Sequence, residues 1–334
     1  MIISRTPYRI SFFGGGTDYP VWYESHHGQV LATTINKYCY ITCRCLPPFF
    51  EHKHRIVYSH IESVHRIADI HHPAARACLQ FMKIRAGIEV HHDGDLPARS
   101  GIGSSSAFTV GMLHALYALK GKMPARLQLA LNAIHVEQKM LKEHVGSQDQ
   151  MLAAFGGFNL VHFGGARHLQ LHPITLPPQR ISSLQSHLML FYSGTPRISS
   201  EIAQEQVRQT PARGRELKMM CELTDTALDL LNSRRDIAEF GRLLHENWLI
   251  KRSLTSKVSN PQIDDIYMEA RRTGALGGKV LGAGGGGFIL LFARPEVQPD
   301  IRRRLHKLLH VPFEFETMGS RIIFYSPADS HNNA

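Results

Sequence analysis

The segment PARSGIGSSSAF, residues 97–108, places a turn of glycine and serine directly before a run of apolar residues at helical spacing. A helix N-terminus presents unpaired N–H groups and the positive end of the helix dipole, and glycines allow a ligand to approach that backbone closely. The segment therefore predicts an anion site at the mouth of a helix. One serine is enough to cap a helix, so the surplus of serines indicates hydroxyls that also serve a metal-bound phosphate.

Two other glycine-rich segments compete for the role of phosphate binder. Residues 282–287 match G-x-G-x-x-G, but the strand-like FILLFA follows them where a dinucleotide-binding fold needs a helix. The chain has no G-x-x-x-x-G-K-[ST] segment, which excludes a Walker-type loop. In ISFFGGGTDYP, three glycines after a strand leave room for a ligand, and Asp18 suits sugar hydroxyls. A plain turn that contains an aspartate is the alternative for this segment.

Composition indicates a globular protein with anionic partners. A length of 334 residues with 43% hydrophobic residues is enough for two ordinary domains, and the net charge of +10 suits a phosphorylated ligand, nucleic acid or an anionic lipid surface. No long apolar run and no signal peptide are evident, so we expect a cytoplasmic protein with free cysteines. Cys39, Cys43 and Cys45 alternate as in a strand and share a face with Ile41, which indicates packing rather than a metal site.

The order of patterns predicts a two-domain α+β protein. The first half mixes strand-like segments with helices, and the proline-rich residues 172–183 resemble a linker or domain edge. The second half is mainly helical before its glycine-rich strand. We therefore predict domains at 1–175 and 176–334, with helices in the second domain at about 199–209, 212–232, 235–254 and 260–273.

Three segments, RTPYRISFFGGGTDYP, PARSGIGSSSAF and KVLGAGGGGF, resemble in this order the three motifs of the GHMP small-molecule kinases, which include galactokinases, homoserine kinases and mevalonate kinases. The resemblance extends from Arg5 to about Phe288. It implies the α+β GHMP kinase architecture, with a ribosomal-protein-S5-like N-terminal domain and a ferredoxin-like C-terminal domain. It also implies that ATP and Mg²⁺ are the cofactors.

Within this group, GGGTDYP followed by GQVLATTINKY is most similar to the heptose 7-phosphate kinases. This implies phosphorylation of the anomeric C1 hydroxyl of D-glycero-D-manno-heptose 7-phosphate, for nucleotide-activated heptose and a bacterial capsule or lipopolysaccharide. Galactokinases carry Glu and His where this chain has Gly15 and Gly16. Glycine leaves room and N–H donors for a substrate phosphate, whereas an acidic side chain would repel it.

In YSGTPRISS, Arg197 follows a strand among hydroxyls and suits the distal phosphate of the substrate, and a turn with a solvated arginine is the alternative. The resemblance assigns roles to other residues. Asp149 matches the general base, and Arg9 matches the basic residue beside it. Glu137, together with Ser104 or Ser105, matches the Mg²⁺ ligands. Read alone, Glu137 would be an exposed charge on a helix and Asp149 a helix-start residue. The expected ATP-binding residues are Gly101, Gly103, Ser104, Ser105 and Ser106, and the expected substrate-binding residues are Gly15, Gly16, Thr17, Asp18, Arg197, Gly284 and Gly285.

Other functions remain open at this stage. Within the kinases these are a C1 kinase of an unphosphorylated sugar such as fucose or galactose, and an enzyme of the mevalonate pathway. A nucleic-acid-binding protein would need clustered Lys and Arg with exposed aromatic residues, which this chain lacks. We expect no nucleic-acid or membrane partner, and a homodimer is left open.

Overall fold

The fold is described from a computed structural model, which covers residues 1–164, 169–194 and 199–326. The strands are β1 (Ile2–Phe13), β2 (Gly28–Cys45), β3 (His54–Val57), β4 (Ile61–Val64), β5 (Ile88–Gly94), β6 (Phe158–Phe163), β7 (Leu169–Pro173), β8 (Leu188–Tyr192), β9 (Gly277–Val280), β10 (Phe288–Phe292), β11 (Leu309–His310), β12 (Phe315–Glu316) and β13 (Arg321–Tyr325). The helices are α1 (Pro20–Tyr23), α2 (Pro73–Phe81), α3 (Ser104–Leu119), α4 (Arg126–His135), α5 (Gln148–Phe155), α6 (Pro178–Ser186), α7 (Ser199–Gln209), α8 (Gly214–Asn232), α9 (Ala238–Leu254), α10 (Pro261–Arg272) and α11 (Gln298–Arg304).

The first sheet is built around the long strand β2. Residues 31–43 of β2 pair with β1, while its other edge pairs with β6 in the first half and with β5 in the second. The sheet has nine strands in the order β13-β1-β2-β5-β3-β4, with β12 and β6 also on β2 and β7 beyond β6. Only β3 and β5 pair in parallel among these described strands.

Helix α3 packs directly on β1 and β2. Its sequence is apolar on nearly every side, which is typical of a helix enclosed by protein. Gly111 brings the helix close to the strand: a Cβ there would lie 2.8 Å from the Thr6 hydroxyl, and Ser4 donates a hydrogen bond to the Gly111 carbonyl at 2.8 Å. The glycine–serine turn before α3 is thereby positioned beside the middle of β1.

The second sheet is smaller and antiparallel, in the order β11-β8-β10-β9. Helix α9 packs against both β9 and β1 and so connects the two sheets. Phe240 of α9 contacts Phe12 and Phe13 of the first sheet, with ring centroids 5.5 and 5.1 Å apart, and Phe292 of the second sheet at 5.8 Å. The two sheets therefore share one continuous apolar core.

The α+β class and the four helices predicted in the second half are confirmed, each within three residues of the predicted ends. Cys39, Ile41 and Cys43 are buried on one face of β2, as the alternation predicts.

The linker prediction for 172–183 was wrong in part, because α6 begins inside that segment with a proline in its first turn. Strands β12 and β13 return to the first sheet, which ties the end of the described chain to its beginning. None of the described helices combines the length and hydropathy that a membrane span requires.

Candidate active site

A cleft of about 910 Å³ lies where β1, the turn before α3, the start of α5 and the segment after β9 meet. Strand β1 of the first sheet lines it with Arg9 and Ser11, and the loop after β9 of the second sheet lines it with Gly282 and Ala283. The residues that line it include Arg9, Ser11, Gly15, Gly16, Asp18, Arg99, Gly101, Gly103, Ser104, Ser105, Ser106, Asp149, Gln206, Lys251, Gly282 and Ala283. Three segments that are remote in sequence therefore share one cavity.

Arg9 and Asp149 form a bidentate ion pair at the centre of the cleft. The Arg9 Nε and Nη2 atoms donate to Asp149 Oδ1 and Oδ2 at 2.6 and 2.7 Å, and Nη1 donates to the Gly101 carbonyl at 2.6 Å. The Arg9 side chain is 6% exposed, whereas Asp149 keeps 22% of its surface toward the cleft. Each carboxylate oxygen has a second lone pair, so Asp149 can still accept a proton or a hydrogen bond.

The glycine–serine turn packs closely against this ion pair. A Cβ on Gly103 would lie 3.3 Å from Asp149 Oδ2, so the glycine allows this close approach. Gly103 is also the N-cap of α3 at φ 74°, and no side chain caps the helix, which corrects the expected serine cap. Ser104 instead accepts a hydrogen bond from the Arg99 N–H at 3.1 Å. The N–H groups at the start of α3 are thus left for a ligand.

The turn is held between the two sheets. Arg9 N–H donates to the Ile102 carbonyl at 3.1 Å, and Phe288 N–H donates to the Ser100 carbonyl at 3.0 Å. A Cβ on Gly287 would lie 2.1 Å from the Ser100 carbonyl oxygen, so the end of the late glycine run is required for this contact. The geometry of the turn therefore depends on the second sheet as well as the first.

Asp18 lies on the other side of Asp149 and is 2% exposed. It accepts hydrogen bonds from Gly16 N–H at 2.9 Å and from Gln148 Nε2 at 2.8 Å. Burial raises the pKa of Asp18, and the nearby Asp149 raises it further. Ser11 lines the cleft beside Gly15, and its buried hydroxyl has no hydrogen-bond partner among the described residues. The wall of the cleft formed by Ser11, Gly15, Gly16 and Asp18 therefore carries hydrogen-bond acceptors and donors suited to sugar hydroxyls.

Glu137 is fully buried in a π turn (residues 136–140) that continues α4. Its Oε2 accepts from the Ser106 hydroxyl at 2.8 Å and from Gln150, whereas Oε1 has no hydrogen-bond partner in the described part of the chain. The nearby Thr109 hydroxyl donates to the Ser105 carbonyl. Burial raises the pKa of Glu137 to about 7. Glu137 thus lies behind Ser106 and does not itself line the cleft.

Several expected site residues do not face the cleft. The Thr17 hydroxyl donates to the Gly14 and Gln29 carbonyls, which makes it a support of the turn. Gly284 and Gly285 pack against Val258 and Ile202 rather than lining the cavity, where Gly282 and Ala283 stand instead. Arg197 lies outside the described residues.

Sequence reasoning missed one whole end of the cleft, which we call the aromatic end. His72 stacks on Phe108 with ring centroids 4.6 Å apart, and Tyr58 meets His72 edge-on at 4.8 Å. The histidine doublets His71-His72 before α2 and His91-His92 in β5 were the signal in the sequence that could have indicated it. The aromatic end comprises Tyr58, His60, His71, His72, His92 and Phe108.

Two cations of the cleft were also missed, Arg99 and Lys251. Arg99 belongs to the glycine–serine turn and takes φ 58°, which is uncommon for a residue with a side chain. Lys251 of α9 is 3% exposed and donates a hydrogen bond to the Gly282 carbonyl. A lysine in a helical pattern gives no sign of burial, so only the packing of α9 identifies it.

Comparisons with known proteins match both halves of the chain. The family model described as GHMP kinases N terminal domain matches residues 69–157, and GHMP kinases C terminal matches residues 227–311. The glycine–serine turn, Glu137 and Asp149 fall within the first match, and Lys251 and the late glycine run within the second.

Similar proteins cover most of the chain. A D-glycero-alpha-D-manno-heptose 7-phosphate kinase of Campylobacter jejuni is 27% identical over 92% of this chain and 93% of its own length. A mevalonate kinase of Methanothermobacter thermautotrophicus is 29% identical over 64% of this chain and 67% of its own length. The crystal structure of a D-glycero-D-manno-heptose 1-phosphate kinase from Bacteroides thetaiotaomicron has the same fold, with a TM-score of 0.75 at 24% identity over 98% of this chain and all of that one.

Proposed function

The chain belongs to the GHMP kinases and is a phosphotransferase that uses ATP and an alcohol acceptor; from this premise we propose that it phosphorylates the anomeric C1 hydroxyl of D-glycero-D-manno-heptose 7-phosphate to the 1,7-bisphosphate. The observation that carries the proposal is the Arg9–Asp149 ion pair, placed between an anion-binding turn and a wall suited to sugar hydroxyls. The similarity to the Campylobacter jejuni enzyme over 92% of the chain supports the choice of a heptose phosphate.

The chemistry follows from this geometry. Asp149 accepts the proton of the C1 hydroxyl as the sugar oxygen bonds to the γ-phosphorus and the bond to ADP breaks. Arg9 fixes the orientation of that carboxylate and offsets negative charge on the transferring group. The N–H groups of Gly103, Ser104 and Ser105 at the start of α3 hold the triphosphate. The aromatic end offers ring surfaces for the nucleobase.

Mg²⁺ fits the oxygen donors beside the triphosphate. Ser104 and Ser105 line the cleft with hydroxyls. Behind Ser106, the buried Glu137 carboxyl has one oxygen without a hydrogen-bond partner among the described residues, which would serve as a hard donor. Mg²⁺ bound with a nucleotide needs only one or two protein ligands, because phosphates and waters complete its shell. When bound there, the ion would neutralise charge on the β- and γ-phosphates. The raised pKa of Glu137 means that this carboxyl must lose a proton to bind the ion.

The remaining assignments extend the same proposal. Gly15, Gly16 and Asp18 contact the sugar, and Arg197 stays a proposed ligand of the substrate phosphate. Residues 1–175 and 176–334 form the two domains, with β12 and β13 completing the first sheet. The product would supply nucleotide-activated heptose for a bacterial surface polysaccharide.

Incubation of the protein with heptose 7-phosphate and Mg·ATP tests the proposal, with ³¹P NMR to detect a new phosphate at C1. We expect Asp149→Asn to lower kcat by about 10²- to 10⁴-fold while both ligands still bind, because a neutral amide cannot accept the proton. Asp229→Asn, an exposed residue of α8, is the matched control and should keep full activity.

A panel of acceptors separates the alternatives. Fucose, galactose, unphosphorylated heptose and mevalonate are offered beside heptose 7-phosphate, and ADP formation is measured for each. Turnover confined to unphosphorylated sugars or to mevalonate would contradict the proposed substrate. An undiminished rate in Asp149→Asn would remove this residue from the mechanism.

A further inference from the structure

The cleft extends from the glycine–serine turn past Asp149 to a second cation. Asp149 borders Gly103 on one side, and its neighbour Gln148 donates to Asp18 on the other. Asp18 in turn accepts from Gly16 N–H. A Cβ on Gly16 would lie 3.7 Å from Leu254 Cδ1, one helical turn along α9 from Lys251. Lys251 lines the same cleft as Gly16 and Asp18, and its ammonium donates to the Gly282 carbonyl.

We propose that Lys251 binds the distal phosphate of the substrate and so makes this kinase select a phosphorylated sugar. The inference rests on the proposed function, because it places the reacting hydroxyl at Asp149 and the rest of the sugar along Asp18 and Gly16. A sugar held in that direction presents the group farthest from its reacting carbon to α9. A phosphate monoester is the sugar substituent that pairs best with an ammonium.

The surroundings of Lys251 carry an excess of positive charge. Lys279 is 1% exposed and donates to the Phe12 carbonyl at 2.9 Å. Burial, then the charges of Lys251 and Arg9, lower the pKa of Lys279. Arg9 is already paired with Asp149, and the charge of Asp18 opposes this lowering of the Lys279 pKa. The local field therefore favours an anionic ligand.

Small residues line the cleft together with Lys251, namely Gly16, Gly282 and Ala283. Gly16 takes φ 117°, where a side chain is disfavoured, and Gly282 takes φ 66°. Gln206 donates to the Ala283 carbonyl, which holds that segment against α7. A rigid, small-residue wall around one buried ammonium is a suitable shape for a phosphate, and a neutral sugar would gain nothing from the charge.

Lys251→Gln tests the inference, because glutamine keeps an N–H donor for the Gly282 carbonyl and removes the charge. The readout is the ratio of kcat/KM for heptose 7-phosphate to kcat/KM for unphosphorylated heptose. We expect the variant to lose about 10²-fold on the phosphorylated sugar and less than about threefold on the other, with the KM for ATP unchanged. Lys218→Gln, an exposed residue of α8, is the matched control and should keep the wild-type ratio.

Lys251→Arg keeps the charge and should keep the preference for the phosphorylated sugar, which provides a second readout if the glutamine variant does not fold. Equal losses on both sugars would give Lys251 a structural role, and a loss in the KM for ATP would assign it to the nucleotide; either result overturns the inference. A wild-type enzyme that prefers unphosphorylated heptose would instead refute the proposed substrate. A wild-type preference for the phosphate that survives in Lys251→Gln refutes only the role of Lys251.

Discussion

Arg99, in the glycine–serine turn, carries a side chain at a backbone conformation that favours glycine. A left-handed φ costs a residue with a Cβ about 1–2 kcal/mol. Such strain persists where the surrounding structure enforces it, and it is common at ligand sites. Arg99 lines the cleft, and its backbone N–H donates to the Ser104 hydroxyl.

Replacement of Arg99 by glycine should separate stability from binding. We expect Arg99→Gly to raise the free energy of unfolding by up to about 1 kcal/mol through relief of strain. ATP binding should weaken about tenfold, because a charged hydrogen-bond donor is lost. Denaturant unfolding and calorimetric titration with ATP measure the two effects.

Lys83 provides the control for this variant. It takes φ 50° after α2 and is exposed away from the cleft. Lys83→Gly should show the gain in stability and leave ATP affinity unchanged. Equal ATP affinity in Arg99→Gly and the wild type would mean that Arg99 does not contact the nucleotide.

Among the elements, α3 and the π turn after α4 determine which polar groups meet. The π turn is recognised by the Leu141 N–H, which donates to the Val136 carbonyl five residues earlier. This wider turn carries Glu137 inward against Ser106, whereas a regular helix of this composition would suggest an exposed glutamate. The resemblance matched Glu137 to a Mg²⁺ ligand shared with Ser104 or Ser105, and in the structure its hydrogen-bond partners are Ser106 and Gln150.

The contact between α3 and the last strands should make stability depend on pH. His114 Nδ1 lies 3.0 Å from the Ser320 hydroxyl, which also contacts Thr6 at 2.9 Å. Burial lowers the pKa of His114 from 6.5 to about 4. Between these values the unfolded chain binds more protons, so stability contributed by neutral His114 is complete above about pH 6.5 and is lost as the pH falls toward 4.

As the pH falls from 6.5 to 4, we expect the free energy of unfolding to decrease less in His114→Gln than in the wild type. The difference between the two decreases should reach up to about 3 kcal/mol. Glutamine can still bond to Ser320 but does not titrate. The difference between the two proteins, measured by thermal unfolding at several pH values, removes the contribution of the other histidines. Parallel pH profiles would show that His114 is not a source of acid sensitivity.

At the scale of the whole molecule, the two sheets share one core through Phe240, and the cleft lies at their junction. The glycine–serine turn is bonded to β1 on one side and to β10 on the other. Strand β13 pairs with β1, although more than three hundred residues separate them in sequence. Folding of the second half is therefore needed to complete the site of the first.

Truncation of Phe240 tests this dependence. We expect Phe240→Ala to lower the free energy of unfolding by about 3–5 kcal/mol, because it opens a cavity between two sheets. Phe49→Ala, at a side chain that is 88% exposed, should change it by less than about 0.5 kcal/mol. Two separate unfolding transitions in the wild type would contradict a shared core.

The amino-acid sequence alone determined the α+β class, the helices of the second half and the three glycine-rich motifs that identify the kinase family. These features can be predicted because they are local. The spacing of apolar residues indicates a helix or a strand, and a glycine-rich segment indicates a backbone conformation or a close approach that other residues disfavour. Only the tertiary structure decided that Thr17 supports a turn, that Ser106 meets Glu137, and that Lys251 enters the cleft. Such choices depend on how remote elements pack, since a helix or strand pattern specifies which residues are apolar but not which polar side chain will face a cavity.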